Sequence, residues 1–207
     1  MDNNFQLSEL QRDAIVEFLS IGMGNAANSL SQMVNEEVKL SIPALELLTP
    51  QQVTNYFNTK SYTKIAAVKQ HFHGPFWGDA LLLFDSEKSF QFVQVWLKNK
   101  VPQALLTELA PEALIEISNI IIGACLSSLA DILTQELTPE IPTFMTGTTA
   151  EIFDINTIKQ EEIVMFLQVD FSLSTKEIKG YVAFILEIPS VEQFKASIDK
   201  YLSVMAL

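Results

Sequence analysis

From Ser8 onward, apolar residues recur at helical spacing (Leu10, Ile15, Phe18, Leu19, Ala26, Leu30, Met33) and predict a helix reaching about Asn35. Ser8 and Gln11 have the spacing of a capping box at its start. Val38, Leu40 and Ile42 then alternate with polar neighbours, which predicts a strand up to Pro43, and a short helix or turn follows at Pro50 to Phe57. Ile65 to Phe72 and Phe76 to Phe84 predict paired strands across the turn His73-Gly74-Pro75. Ser86 to Lys98 predicts an amphipathic helix through Phe90, Val93 and Leu97.

The rest of the chain repeats that order. Glu112 to Pro142 reads as one long helix, with Leu114, Ile117, Ile121, Cys125 and Ile132 on one side. An extended stretch, Thr143 to Phe153, and a short helical or turn segment near Asn156 follow. Ile163, Met165, Leu167, Val169, Phe171 and Leu173 alternate along a strand; Gly180 to Ile188 pairs with it. Ser190 to Leu202 predicts a last helix carrying Phe194, Ile198 and Tyr201 on one face. A shift of 99 residues carries Glu17 to Glu116, Gly24 to Gly123 and Pro43 to Pro142, and a shift of 102 carries Gly78 to Gly180. The economical reading is a duplication: one domain over residues 1–207 made of two repeats, about 8–99 and 107–202. The expected fold class is α+β, a pseudo-two-fold duplicated α-β-(α)-β-β-α unit. It forms one continuous, mainly antiparallel sheet with two long helices on one face, and joining the halves hides an open sheet edge.

Composition narrows the function classes. The 207 residues carry a net charge of −12, and Arg12 is the sole arginine, so nucleic-acid binding is not expected. Such a surface suits a partner that presents lysines. Cys125 is the only cysteine, which excludes an intramolecular disulfide and fits a core filler. The N-terminal MDNNFQLSEL lacks the basic start of a signal peptide. Glu116, Asn119 and Asp131 interrupt the longest apolar stretches, so no membrane span is expected and the protein is expected to be soluble and cytoplasmic.

Candidate chemistry lies in a polar stripe on the second long helix. At about 100° per residue, Glu112, Glu116, Asn119 and Gly123 fall within an arc of about 60°. The first helix offers Asp13, Glu17, Ser20 and Gly24 at the same spacing, so the copies differ chiefly where an amide at 119 faces a hydroxyl at 20. Two carboxylates alone would be a solvated face; their duplication, each copy followed by a proline (Pro43, Pro142), marks the stripe as functional. His71 and His73 lack a third ligand at useful spacing and read as polar residues near a turn. Gly22-Met23-Gly24 lies within a helical pattern with no preceding strand, unlike a nucleotide loop. No Ser-His-Asp or Cys-His arrangement has local support.

The pattern of an acidic residue, Glu four on, Asn three further and a distant proline resembles the CheC/CheX/FliY chemotaxis phosphatases of bacteria and archaea. The stretches SIGMGNAANSLSQM (Ser20–Met33) and NIIIGACLSSLADIL (Asn119–Leu133) resemble the two helices of CheC. Two copies favour a CheC-like over a CheX-like chain, and no flagellar-switch region of a full-length FliY is seen. The resemblance implies hydrolysis of the aspartyl phosphate on a CheY-like response regulator. Asn119 would orient the attacking water, Glu116 would pair with the regulator's lysine, and Gly123 would admit close backbone approach. The Ser20 site, with Glu17, is expected to be weak or inactive because its short arm does not reach. No metal or cofactor is expected on this chain; Mg²⁺ is expected on the regulator. The alternative is a non-catalytic protein that sequesters a phosphorylated regulator or docks a CheD-like deamidase, the family's second partner.

Overall fold

Asn35 and Thr134, both at φ 53°, end the two longest helices in the left-handed backbone region, and they lie 99 residues apart. In this computed structural model, which describes residues 6–60, 62, 64–97, 102–153, 162–173 and 176–205, those helices are α1 (Glu9–Val34) and α4 (Gln103–Leu133). The capping box at Ser8 and Gln11 forms: each backbone N–H is accepted by the other's side chain. The second helix is placed differently from the sequence expectation of Glu112 to Pro142. It starts at Gln103, because Gln-Ala-Leu-Leu-Thr-Glu-Leu-Ala is strongly helix-forming, and Pro111 is carried inside it. It stops at Leu133, because Thr134 turns left-handed as Asn35 does.

β1 (Val38–Leu48) and α2 (Pro50–Thr59) follow α1, then the hairpin β2 (Ile65–His73) and β3 (Gly78–Asp85) and the helix α3 (Ser86–Trp96). After α4 come β4 (Thr138–Pro139), β5 (Thr143–Gly147) and α5 (Thr149–Ile152), then β6 (Glu162–Leu173), β7 (Lys176–Glu187) and α6 (Ile188–Met205). The segment near Asn156 lies outside the described residues. All described strands join one antiparallel sheet of order β1-β6-β7-β3-β2, with β4 and β5 both on the outer edge of β2.

This order exchanges strands between the halves. β1 belongs to the first half yet pairs with β6, while β4 and β5 of the second half pair with β2. The strand predicted to end at Pro43 continues to Leu48 through a bulge between Ser41 and Ala44, which lets an edge strand carry a proline. The other edge breaks likewise between Pro139 and Thr143, around Pro142. Followed through the ladders, the shift is 99 from β2 to β6, aligning Phe72 with Phe171, and 100 from β3 to β7, aligning Phe84 with Phe184. The counterpart of Gly78 is therefore Ile178, not Gly180 as the sequence match had it. Leu82 and Val182 are counterparts and also pair with each other, so the pseudo-two-fold passes between them.

The central strands are covered on both faces, which is why β3 and β7 read as nearly continuous apolar runs. One face packs on α1, α3, α4 and α6; the other packs on α2 and α5 around Phe57, Phe153 and Tyr181. All five residues predicted for the buried side of α4, Leu114, Ile117, Ile121, Cys125 and Ile132, are buried, each apolar one stabilising by about 1.5–3 kcal/mol. On α1, Leu10 and Met33 are exposed although they fit the apolar spacing, and so is Phe90 on α3. α1 and α4 cross at Gly22, where a Cβ would come within 2.8 Å of the Ala124 carbonyl oxygen and closer still to Ser128 Oγ. With its extra N-terminal length, Ala104–Leu133 is long and apolar enough to cross a membrane by length and composition, contrary to the sequence expectation. Half of its most apolar window is buried inside the molecule, as a core helix requires.

Candidate functional site

The outer side of α4 carries Glu112, Glu116 and Asn119, all exposed, with half-buried Gly123 one turn beyond Asn119. Among the described residues, neither Glu112 nor Glu116 makes a hydrogen bond or ion pair, so both carboxylates are available to an incoming cation. No atom lies within 4 Å of where a Cβ on Gly123 would stand, and the same holds for Gly24. A partner can therefore approach the backbone there without displacing anything. The stripe on α1 is equally open: Asp13, Glu17, Ser20 and Gly24 are all exposed. Pro43 is exposed and Pro142 half-buried, each within the irregular stretch of its own sheet edge.

Asn119 differs from the rest of the stripe in having a partner within the fold. Gln70, on β2, donates from Nε2 to the Glu140 carbonyl oxygen at 2.7 Å and to Asn119 Oδ1 at 3.4 Å, the second being long and weak. Gln70 is 5% exposed, and its Oε1 is buried with no partner among the described residues. Leaving such an acceptor unpaired costs about 1–3 kcal/mol. Sequence reading missed Gln70; its one local signal is a polar residue where the alternation of β2 calls for an apolar one.

The remaining polar candidates have local partners. His71 Nδ1 lies 3.0 Å from Asp79 Oδ1, Lys69 Nζ lies 2.6 Å from Asp79 Oδ2, and His73 Nδ1 lies 3.8 Å from Glu140 Oε1. Among the described residues no cluster of three His, Cys, Asp or Glu side chains is placed to hold a metal ion. Burial pushes the Cys125 thiol up to about 12, so it is not a nucleophile near neutral pH. Beside the first stripe lies a groove of about 470 Å³ lined by Leu10, Phe18, Ile21, Tyr201 and the carboxylate-bearing Asp13 and Glu17.

The chain thus combines a duplicated α+β fold around one shared antiparallel sheet with an exposed acidic-amide stripe on a long helix. No protein-family model matches the chain. In sequence it is 21% identical over 197 residues to the CheY-P phosphatase CheC of Bacillus subtilis, covering 90% of this chain and 93% of that protein. In structure it is similar to FliY of Thermotoga maritima, with a TM-score of 0.73, 18% identity, and 94% of this chain and 98% of the other covered. A chain of the FliG–FliM complex of H. pylori has the same fold at a TM-score of 0.63 and 12% identity, covering 92% of this chain and 100% of that one. CheX from its complex with CheY, BeF3 and Mg in Borrelia burgdorferi aligns with a TM-score of 0.51 and 19% identity, covering 81% of this chain and 97% of that one. The CheC/CheX/FliY resemblance read from the helices therefore extends over most of the chain, in sequence and in fold.

Proposed function

We propose that this protein is a phosphatase for the aspartyl phosphate of a CheY-like response regulator, working in the cytoplasm on a chemotaxis-type signal. The observation that carries the reading is the placement of Glu116 and Asn119 one turn apart on the open side of α4, beside the unobstructed backbone of Gly123. Support comes from the CheC relative, itself a CheY-P phosphatase, and from CheX, which forms a complex with CheY.

In this reading the regulator's lysine meets Glu116, which fixes the docked orientation, and Asn119 extends into the regulator's site. Its carboxamide, with a donor and an acceptor, holds one water in line with the P–O bond to the aspartate. The water oxygen bonds to phosphorus, the P–O bond to the aspartyl carboxylate breaks, and inorganic phosphate leaves with the water's protons. An acyl phosphate is already labile, so positioning suffices without an acid or base on this chain. The regulator supplies Mg²⁺; this chain supplies no cofactor. Ser20, standing where Asn119 stands in the other repeat, lacks the amide and the reach, which leaves Glu17 and Ser20 a degenerate site.

A second reading, docking without hydrolysis, draws on the apolar groove beside Asp13 and Glu17 and on the presence of the same fold in the FliG–FliM complex. A CheD-like deamidase or a sequestered regulator would be its partner. The two readings separate in one assay: load a CheY-like regulator from a small-molecule phosphodonor, remove the donor, and follow loss of aspartyl phosphate. The phosphatase reading expects acceleration by catalytic amounts of this protein. Protection of the phosphate at stoichiometric protein, with no acceleration, would leave the docking reading in its place.

A further inference from the structure

We propose that Gln70 is a positioning residue for Asn119, so that the working site spans both halves of the molecule rather than residing on α4 alone. The proposal rests on the catalytic reading of Asn119 given above.

Of the β2 side chains facing the long helices, Ala66, Val68, Gln70 and Phe72, only Gln70 is polar. The counterparts on β6, at the shift of 99, are Met165, Leu167, Val169 and Phe171, all buried and apolar. A buried amide amid such neighbours is costly unless its hydrogen bonds are used, yet this one leaves Oε1 without a partner among the described residues. What it does use is Nε2, which faces two oxygens: the Glu140 carbonyl at 2.7 Å and Asn119 Oδ1 at 3.4 Å. Turning the amide over would set its oxygen against both, so the surroundings select this orientation.

The consequence falls on Asn119. A donor beneath Oδ1 turns the Nδ2 end of the exposed carboxamide outward and restricts its rotation. An amide that must orient one water gains rate from being held in advance. The pseudo-symmetric site lacks both members together: Ser20 of the first half stands for Asn119 and Val169 of the second half for Gln70. Because Gln70 comes from the first half and Asn119 from the second, the strand exchange that joins β5 to β2 is what brings them together.

The test compares wild type with Gln70→Met and Gln70→Leu, both apolar and close to the original volume. Turnover of a phosphorylated CheY-like regulator is measured as kcat and KM, and the mobility of the Asn119 side-chain amide by ¹⁵N relaxation. The expected result is a fall in kcat of about 2- to 10-fold, the worth of one net hydrogen bond, with KM unchanged and a more mobile Asn119 amide. Unchanged kcat and unchanged mobility in both variants, or a rise in KM alone, would overturn the proposal. If wild type shows no turnover, the phosphatase reading fails; unchanged Asn119 mobility in the relaxation measurement, which needs no catalysis, would overturn the Gln70 contact as well.

Discussion

Asn119 and Ser20 stand at equivalent places on equivalent helices, and the difference between them is reach and support. Asn119 has an amide beneath it in Gln70; the pseudo-two-fold puts Val169 at the corresponding position of the Ser20 site. Glu116→Lys is expected to raise KM for a phosphorylated regulator at least tenfold while leaving thermal stability within about 0.5 kcal/mol, since the side chain is exposed. An unchanged KM in the same kinetic assay would remove Glu116 from the docking surface. Next to Asn119, Ser118 is buried and its hydroxyl has no partner among the described residues. Ser118→Ala is therefore expected to stabilise the fold by up to about 1 kcal/mol in denaturant unfolding. The stripe residues were legible in the sequence because helical spacing alone puts Glu112, Glu116 and Asn119 on one side. Gln70 was not: its contact crosses 49 positions and depends on which strand pairs beside β5.

At the scale of elements, the two glycine positions on the long helices have opposite meanings. Gly22 is where α1 and α4 touch, and Gly22→Ala forces backbone apart at the Ala124 carbonyl, costing about 1–3 kcal/mol in unfolding experiments. Gly123 faces open space, so Gly123→Ala is expected to stabilise the isolated protein by about 0.5–1 kcal/mol through helix propensity, yet to weaken regulator binding. Gain in stability without loss of binding would show that no backbone docks there. Most element types were legible in the described chain, but Thr138–Pro139, read as helix, forms β4, Thr149–Ile152, read as extended, forms α5, and boundaries were less legible still. Pro111 and Pro142 bracket the helical pattern in sequence, but α4 runs through the first and stops at Leu133, well before the second. Leu10 and Met33 fit the spacing of α1 and still face solvent, because burial depends on where α4 and α6 cover that helix.

For the whole molecule, duplication was legible from the shift of 99, but exchange of edge strands was not, since β1 could have paired with its own hairpin by pattern alone. The exchange ties the halves into one sheet, so the core is expected to open as a unit. Cys125, fully buried in that core, reports on it: a thiol reagent should react only at the rate of unfolding. Its thiol, raised to about 12 in the fold, stays neutral while the unfolded chain ionises near 9, so its contribution is intact below about pH 9 and lost as pH rises toward 12. Rapid modification of Cys125 at pH 7.5 would contradict the packing described. Activity is expected at the Asn119 site and not at the Ser20 site, and that asymmetry is what most directly distinguishes an enzyme from a symmetric docking scaffold. The decisive measurement follows aspartyl-phosphate loss from a CheY-like regulator with wild type, Asn119→Ala and Ser20→Ala side by side. Asn119→Ala is expected to reduce the rate to that of the regulator alone with binding retained, and Ser20→Ala to leave it within about twofold of wild type. Full activity in Asn119→Ala, or a collapse in Ser20→Ala, would contradict it.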